Sequence, residues 1–100
     1  MKFEQHCAIC ATILGEPFEE VNRWLDELAW VESGAWVMDG KQFDPTHRQH
    51  RHHREGIEQV RARWGDRAAR AAVLHVMLDL GLKSEDDIPA NRQEYLRYFA

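Results

Sequence analysis

A run of histidines and arginines, HRQHRHH at positions 47–53, constrains this chain more than any other stretch. On a helix of about 3.6 residues per turn, part of this run continues an apolar face that extends further along the chain. That face consists of Thr46, His50, His53, Ile57, Val60 and Trp64, whereas His52 points the other way. A buried polar group without a partner costs about 1–3 kcal/mol, so His50 and His53 are predicted to find partners within the fold.

Hydrophobic periodicity and capping residues predict a mainly α-helical fold, a single-domain bundle of four to five helices over residues 1–100. The predicted helices cover residues 2–14, 17–29, 44–64, 67–80 and 91–99. The helix over 67–80 is apolar on most of its sides, which predicts a central position. Residues 35–43 are predicted to form either a small β-hairpin about Asp39–Gly40 or an ordered loop.

The net charge is −4 with neutral histidines, and it is unevenly distributed along the chain. Residues 1–45 carry nine acidic and three basic residues, a net charge of −6, whereas residues 46–75 carry three acidic and seven basic ones, a net charge of +4. The acidic balance argues against direct binding of nucleic acid. No signal peptide and no apolar run near the ~20 residues of a membrane span is found, so we expect a cytoplasmic protein without membrane contact.

Four side chains that could hydrogen-bond or ligate a metal are predicted to meet between two helices. They are His50 and His53 on the third predicted helix and His75 and Asp79 on the fourth, which lie at one level if the helices form an antiparallel hairpin. The favoured interpretation is a buried hydrogen-bonded network with no cofactor. The alternative is a zinc, iron or manganese site that activates water for hydrolysis. No HExxH motif and no nucleophile elbow is present, so no catalytic residue is assigned.

A second group near the N-terminus consists of His6, Cys7 and Cys10. A C-x-x-C pair can bind zinc, but a structural zinc site needs a second pair of ligands, which His50 and His53 would have to supply. The favoured interpretation is that both cysteines are reduced and pack as small hydrophobic residues.

The first half of the chain carries acidic residues that could form a docking face. The predicted partner-binding residues are Glu16, Glu19, Glu20, Asp26, Glu27 and Glu32, together with the aromatic Trp36. Such a face could occupy a protein surface that normally holds the phosphates of a nucleic acid. The alternative is an acidic helix face that is simply solvated.

Several short motifs resemble those of a small His-rich domain family of bacteria and phages whose function is unknown. They are WLDE at 24–27, HRHHREGI at 50–57, WG at 64–65, HV at 75–76 followed by DLG at 79–81, IP at 88–89 and YL at 95–96. The chain departs from the family pattern over residues 29–46 and at Cys7 and Cys10. The resemblance implies no activity. By its type, a compact acidic protein without a complete active site, the chain is also similar to phage-encoded anti-CRISPR inhibitors.

These observations lead to two functional expectations. The first is a non-catalytic interaction protein, an inhibitor from a phage or mobile element that docks through its acidic and aromatic face. Its expected partner is a bacterial protein complex that handles nucleic acid. The alternative is a metal-dependent hydrolase or metal-binding protein that uses His50, His53, His75 and Asp79.

Overall fold

The computed structural model describes residues 1–32, 41–43 and 46–99, and for residues 30–32 and 41–43 it describes the backbone. The predicted mainly α-helical class is confirmed. In chain order the elements are α1 (Phe3–Leu14), α2 (Glu19–Asp26), β1 (Trp30–Glu32), β2 (Lys41–Phe43), α3 (Arg48–Arg51), α4 (Arg54–Trp64), α5 (Asp66–Leu80) and α6 (Arg92–Phe99). Two short 3-10 turns, Glu27–Ala29 and Glu85–Asp87, follow α2 and precede α6.

The first two helices follow the predicted pattern with one correction. Gly15 ends α1 in the left-handed region, with φ +87°, and its N–H donates to the carbonyl of Ala11. We predicted that Pro17 lies in the first turn of the next helix, but α2 begins at Glu19 and Phe18 caps it with φ +50°. The α-helical part of α2 ends at Asp26, and the chain continues to Ala29 as a 3-10 turn.

A small antiparallel strand pair follows α2. Trp30 lies opposite Phe43, and Glu32 lies opposite Lys41. The predicted strand at 35–38 and the predicted turn at Asp39–Gly40 lie outside the described residues. In the described pair, the first strand is Trp30–Glu32, which precedes the predicted one. The predicted cap of the third helix, Asp44–Pro45, also lies outside the described residues.

The predicted continuous helix over 44–64 is wrong, because the chain breaks between α3 and α4 at His52 and His53. His52 has φ −86° and ψ +59°, and His53 is extended with φ −158°. The backbone N–H of Arg54 donates to the carbonyl of Pro89 at 2.9 Å instead of continuing the helix. The break separates the two histidines on which the sequence argument depended, so that His50 is exposed on α3 and His53 is buried at the start of α4.

The helix α5 occupies the centre, as predicted. Its buried residues are Ala68, Ala69, Ala71, Ala72, Val73, His75 and Val76, and they pack against Cys10, Val21, Leu25, Ile57, Val60 and Ile88. Gly65, with φ +96°, separates α4 from α5 and allows the two helices to fold back on each other. In the part of the chain that the structure describes, no helix is both long and apolar enough to cross a membrane.

Candidate metal centre

Six histidine and aspartate side chains converge where α1, α2, α3 and α5 meet. They are His6 on α1, Asp26 at the end of α2, His47 and His52 at the two ends of α3, and His75 and Asp79 one turn apart on α5. We call these six residues the His/Asp cluster. Its members come from distant parts of the chain, so the fold as a whole determines its geometry.

Asp79 lies at the centre of the His/Asp cluster, with only 2% of its side chain exposed. Its Oδ1 is 3.0 Å from Nε2 of His6, and its Oδ2 is 2.9 Å from Nε2 of His52 and 3.2 Å from Nε2 of His75. The N-terminal amine lies 3.3 Å from Oδ1, and the guanidinium of Arg48 lies 3.7 Å from it. One buried carboxylate is therefore surrounded by three imidazoles and two cations.

Asp26 forms the second acidic position, and it is partly exposed. Its Oδ2 is 3.4 Å from Nε2 of His75, whereas its Oδ1 is 3.2 Å from Nε2 of His47 and 3.5 Å from Nε2 of His52. Each oxygen of this carboxylate thus faces a different part of the cluster.

A buried amide fixes the tautomer of His75. The amide nitrogen of Asn22 donates to the carbonyl of Pro17 at 3.0 Å, so its Oδ1 is the acceptor for His75, whose Nδ1 lies 2.8 Å away. Nδ1 of His75 therefore carries a proton, and Nε2 faces both carboxylates. Nε2 of His75 is buried and makes no hydrogen bond of acceptable geometry within the described residues. A lone pair directed at two carboxylates is repelled unless a proton or a metal cation lies between them.

The ionisation of the cluster follows from burial and from these contacts. Burial alone would raise the pKa of Asp79, but its contacts with His52, His6 and His75 hold that pKa well below its usual range. Burial would likewise raise the pKa of Asp26, but its contacts with His47 and His75 outweigh burial and lower that pKa. Both carboxylates are thus ionised at neutral pH.

The two central histidines differ in their protonation. Burial lowers the pKa of His52 to about 4, despite its contacts with Asp79 and Asp26. Burial also disfavours the charged form of His75, but Asp26 and Asp79 outweigh burial and raise the pKa of His75. His52 is therefore neutral, and because Asp79 is ionised, Nε2 of His52 carries the proton and donates to Oδ2 of Asp79 at 2.9 Å. The raised pKa of His75 favours a proton on its Nε2 as well, so a metal cation would have to replace a proton at either nitrogen.

The candidate ligand atoms of one group lie close together. His6, Asp26, His75 and Asp79 each offer one atom, and these atoms all lie within 4.8 Å of one another. Atoms that ligate zinc at about 2.0–2.2 Å stand about 3.3–3.6 Å apart in a tetrahedron, and those of an octahedral site stand about 3.0 Å apart. Two imidazoles and two carboxylates suit zinc, manganese or iron, and an octahedral ion would keep open positions for water.

A cavity of about 630 Å³ opens beside the cluster. Asp26, His47 and Asp79 line one side of it, and Lys2 and Arg48 supply positive charge. Its other lining residues are Met1, Phe3, Glu4, Gln5 and Ala29. A small molecule in this cavity would reach the carboxylates and meet two cationic side chains.

Two of the four residues predicted to form the site are not part of the cluster. His75 and Asp79 lie at its centre, but His50 is exposed and belongs to neither group of candidate metal ligands. His53 is buried, and its Nδ1 accepts from the N–H of Gly56 at 3.2 Å, which makes it the N-cap of α4. His53 is buried and has a partner, as predicted, but neither His50 nor His53 joins His75 and Asp79, because the third helix is not continuous.

The sequence argument missed four members of the cluster. His52 was placed on the opposite face, His6 was grouped with the cysteines, and Asp26 was assigned to the acidic docking face. His47 was assigned to no site. The motif WLDE at 24–27, which contains Asp26, was a usable signal, since it is among the segments that resemble the His-rich family.

The cysteines have a supporting position near the cluster. Cys10 is buried and Cys7 is partly buried, and Nδ2 of Asn22 lies 3.7 Å from Sγ of Cys7 and 3.6 Å from Sγ of Cys10. Burial raises the pKa of both thiols above the usual value. Neither thiol belongs to a candidate ligand group, and both are free, as the packed interpretation predicts.

The predicted acidic docking face is largely engaged within the chain. Glu16 pairs with Arg67 at 2.8 Å, Glu20 accepts from the indole of Trp64 at 3.1 Å, and Glu27 pairs with Arg51 at 3.2 Å. Asp26 belongs to the His/Asp cluster, which corrects its assignment to this face. Glu19 is exposed. The side chains of Glu32 and Trp36 lie outside the described residues.

Comparisons with family models, with curated proteins and with solved structures found no match to this chain. The resemblances to the His-rich family and to anti-CRISPR inhibitors therefore stay predictions.

Proposed function

We propose that this protein binds a divalent transition metal through His6, Asp26, His75 and Asp79, and that the bound ion activates water for hydrolysis. The single observation that carries the proposal is the orientation of His75. Its Nδ1 donates to Asn22, and its Nε2 faces two carboxylates with no hydrogen bond of its own among the described residues. A histidine that donates through one nitrogen and offers the other to a cation is the usual arrangement in metal sites.

The charge of the cluster supports a cation at this position. Two ionised carboxylates lie among neutral or singly protonated imidazoles, and Asp79 is almost fully buried. A buried charge is costly unless it is paired or coordinates a metal. The N-terminal amine and Arg48 both contact Oδ1 of Asp79, whereas Oδ2 of Asp79 and both oxygens of Asp26 face imidazole nitrogens, which is where a divalent ion would bind.

The hydrolytic part of the proposal rests on the adjacent cavity. Asp26 and Asp79 line both the cluster and the cavity, so a water molecule on the ion would be accessible to a substrate there. A bound metal lowers the pKa of its water to about 7 and so generates a nucleophile at neutral pH. Lys2 and Arg48 favour an anionic substrate such as a phosphate ester.

Metal content of untagged protein, purified without chelator, tests the binding proposal. We expect one or more ions of zinc, manganese or iron per chain in the wild type and in His50→Gln, whose side chain is exposed. His75→Gln should lose at least one ion per chain. The proposal is wrong if the wild type is metal-free and takes up neither zinc nor manganese, or if His75→Gln holds as much metal as the wild type.

Activity of the metal-loaded protein tests the hydrolytic proposal separately. Bis(p-nitrophenyl) phosphate should be cleaved by the wild type and by His50→Gln, and cleavage should stop in His75→Gln and after chelation. Equal rates in the wild type and in His75→Gln would contradict water activation at this site.

A further inference from the structure

The carboxylate of Asp26 lies between two groups of histidines. Its Oδ2 faces His75, which belongs to the ligand set already described, at 3.4 Å. Its Oδ1 faces the other way, 3.2 Å from Nε2 of His47 and 3.5 Å from Nε2 of His52. The first site uses neither His47 nor His52, although both are buried and direct Nε2 at the same oxygen.

These three residues form a second candidate ligand set. One atom each from Asp26, His47 and His52 lies within 4.8 Å of the other two. Two imidazoles and one carboxylate leave open positions on a four- to six-coordinate ion, as catalytic metal sites do.

Asp79 also lies within reach of both sets. Its Oδ2 is 2.9 Å from Nε2 of His52 and 3.2 Å from Nε2 of His75, so this oxygen lies between one histidine of each set. Two carboxylates that each contact both sets are suited to bridge a pair of ions about 3.5–4 Å apart, the spacing of two-metal sites.

We propose that the protein holds a second divalent transition metal between Asp26, His47 and His52, so that the complete centre is dinuclear with Asp26 as a bridging ligand. This proposal rests on the metal binding proposed above and adds the number of ions and their bridge. The second ion lies on the side of His47, which lines the cavity together with Asp26 and Arg48. An anionic ligand in the cavity would therefore meet this ion directly.

Stoichiometry and magnetic coupling of bound Mn²⁺ test the second site. Chelator-treated protein is equilibrated with Mn²⁺, freed of unbound ion and measured for manganese per chain and by electron paramagnetic resonance. We expect two ions per chain and the signal of an exchange-coupled pair in the wild type and in His50→Gln. His47→Gln should hold one ion and give the signal of an isolated ion.

The two proposals fail in distinguishable ways. One uncoupled ion per chain in the wild type would overturn the dinuclear centre and leave the first site intact. No bound ion would overturn both proposals. If His47→Gln does not fold, His52→Gln replaces it, and the wild-type stoichiometry and coupling still decide the outcome. Two ions per chain without coupling would contradict the bridge.

Discussion

Asn22 determines which nitrogen of His75 faces the carboxylates. The amide is fully buried on α2 and accepts from Nδ1 of His75 at 2.8 Å, while its nitrogen donates to Pro17. It would act as a positioning residue, since it touches a ligand and not the proposed ion. Outer partners of this kind are typically worth about 10–100-fold in metal affinity.

Replacing Asn22 by leucine should therefore weaken metal binding. We expect Asn22→Leu to lower the affinity for Zn²⁺ by about 10–100-fold in a competition assay with a chromophoric chelator. Val21→Ala is the matched control, because Val21 is a buried neighbour on the same helix and its truncation lowers stability alone. Equal affinities in Asn22→Leu and Val21→Ala would contradict the positioning role.

The sequence could identify only part of this residue-level arrangement. The spacing of His75 and Asp79 on one helix was sufficient to predict that they act together, since local periodicity determines which residues share a helix face. The contacts of Asn22 and His6 with α5 depend on how α1 and α2 pack against that helix. Such long-range contacts have no signature in local spacing.

At the scale of elements, the break between α3 and α4 places the histidines. Gly56 allows this break because a Cβ at residue 56 would collide with the backbone carbonyl of Arg51. His53 then caps α4, and the chain at His52 turns toward Asp79. Gly56 is therefore required by close backbone approach and is not merely a glycine tolerated within a helix.

The substitution Gly56→Ala distinguishes these two roles by the sign of its effect. In an ordinary helix interior, alanine is more favourable than glycine by about 1 kcal/mol. Here we expect the overpacked Cβ to lower the free energy of unfolding by about 1–3 kcal/mol in urea titrations. A stabilised variant would contradict the account of the helix break. Ala62→Gly, at an exposed position of α4, measures the intrinsic helix preference at a site without this contact.

The helix break also explains why the predicted site was half correct. The mainly α-helical class and the central position of α5 follow from local sequence and were predicted correctly, whereas the start of α2 and the helix over 44–64 were not. The two-residue break depends on N–H groups that bond to the segment at Pro89 and Ala90, more than thirty residues away. The break changes which histidines face the other helices. The structure therefore places His47 and His52 in the His/Asp cluster, where the sequence argument expected His50 and His53.

At the scale of the whole molecule, the His/Asp cluster joins α1, α2, α3 and α5. A ligand that binds only the folded state stabilises it, by about 4 kcal/mol when the free ligand is at 1,000 times its dissociation constant. A bound ion would thus add a link between these helices to their packing in the core. The function of an inhibitor with an acidic docking face stays a prediction. Three residues of the predicted face contact Arg51, Arg67 and Trp64 of the same chain.

Removal of the metal should therefore lower thermal stability. We expect Tm of the metal-loaded protein to fall by about 15–30 °C on chelation, since 1 kcal/mol corresponds to about 4–8 °C in a domain of this size. Differential scanning calorimetry measures the shift, and His50→Gln should reproduce it. Chelation should have a smaller effect on Tm in the double variant His6→Gln/His75→Gln than in the wild type. The same Tm with and without chelator in the wild type would contradict the linkage.

The most direct test of the metal site is anomalous X-ray diffraction from crystals of the protein equilibrated with Zn²⁺, recorded on both sides of the zinc absorption edge. The account predicts an anomalous peak between His6, Asp26, His75 and Asp79, about 2.0–2.2 Å from Nε2 of His75. Zinc bound elsewhere, with Nε2 of His75 still directed at two carboxylates and no ion between them, would contradict it.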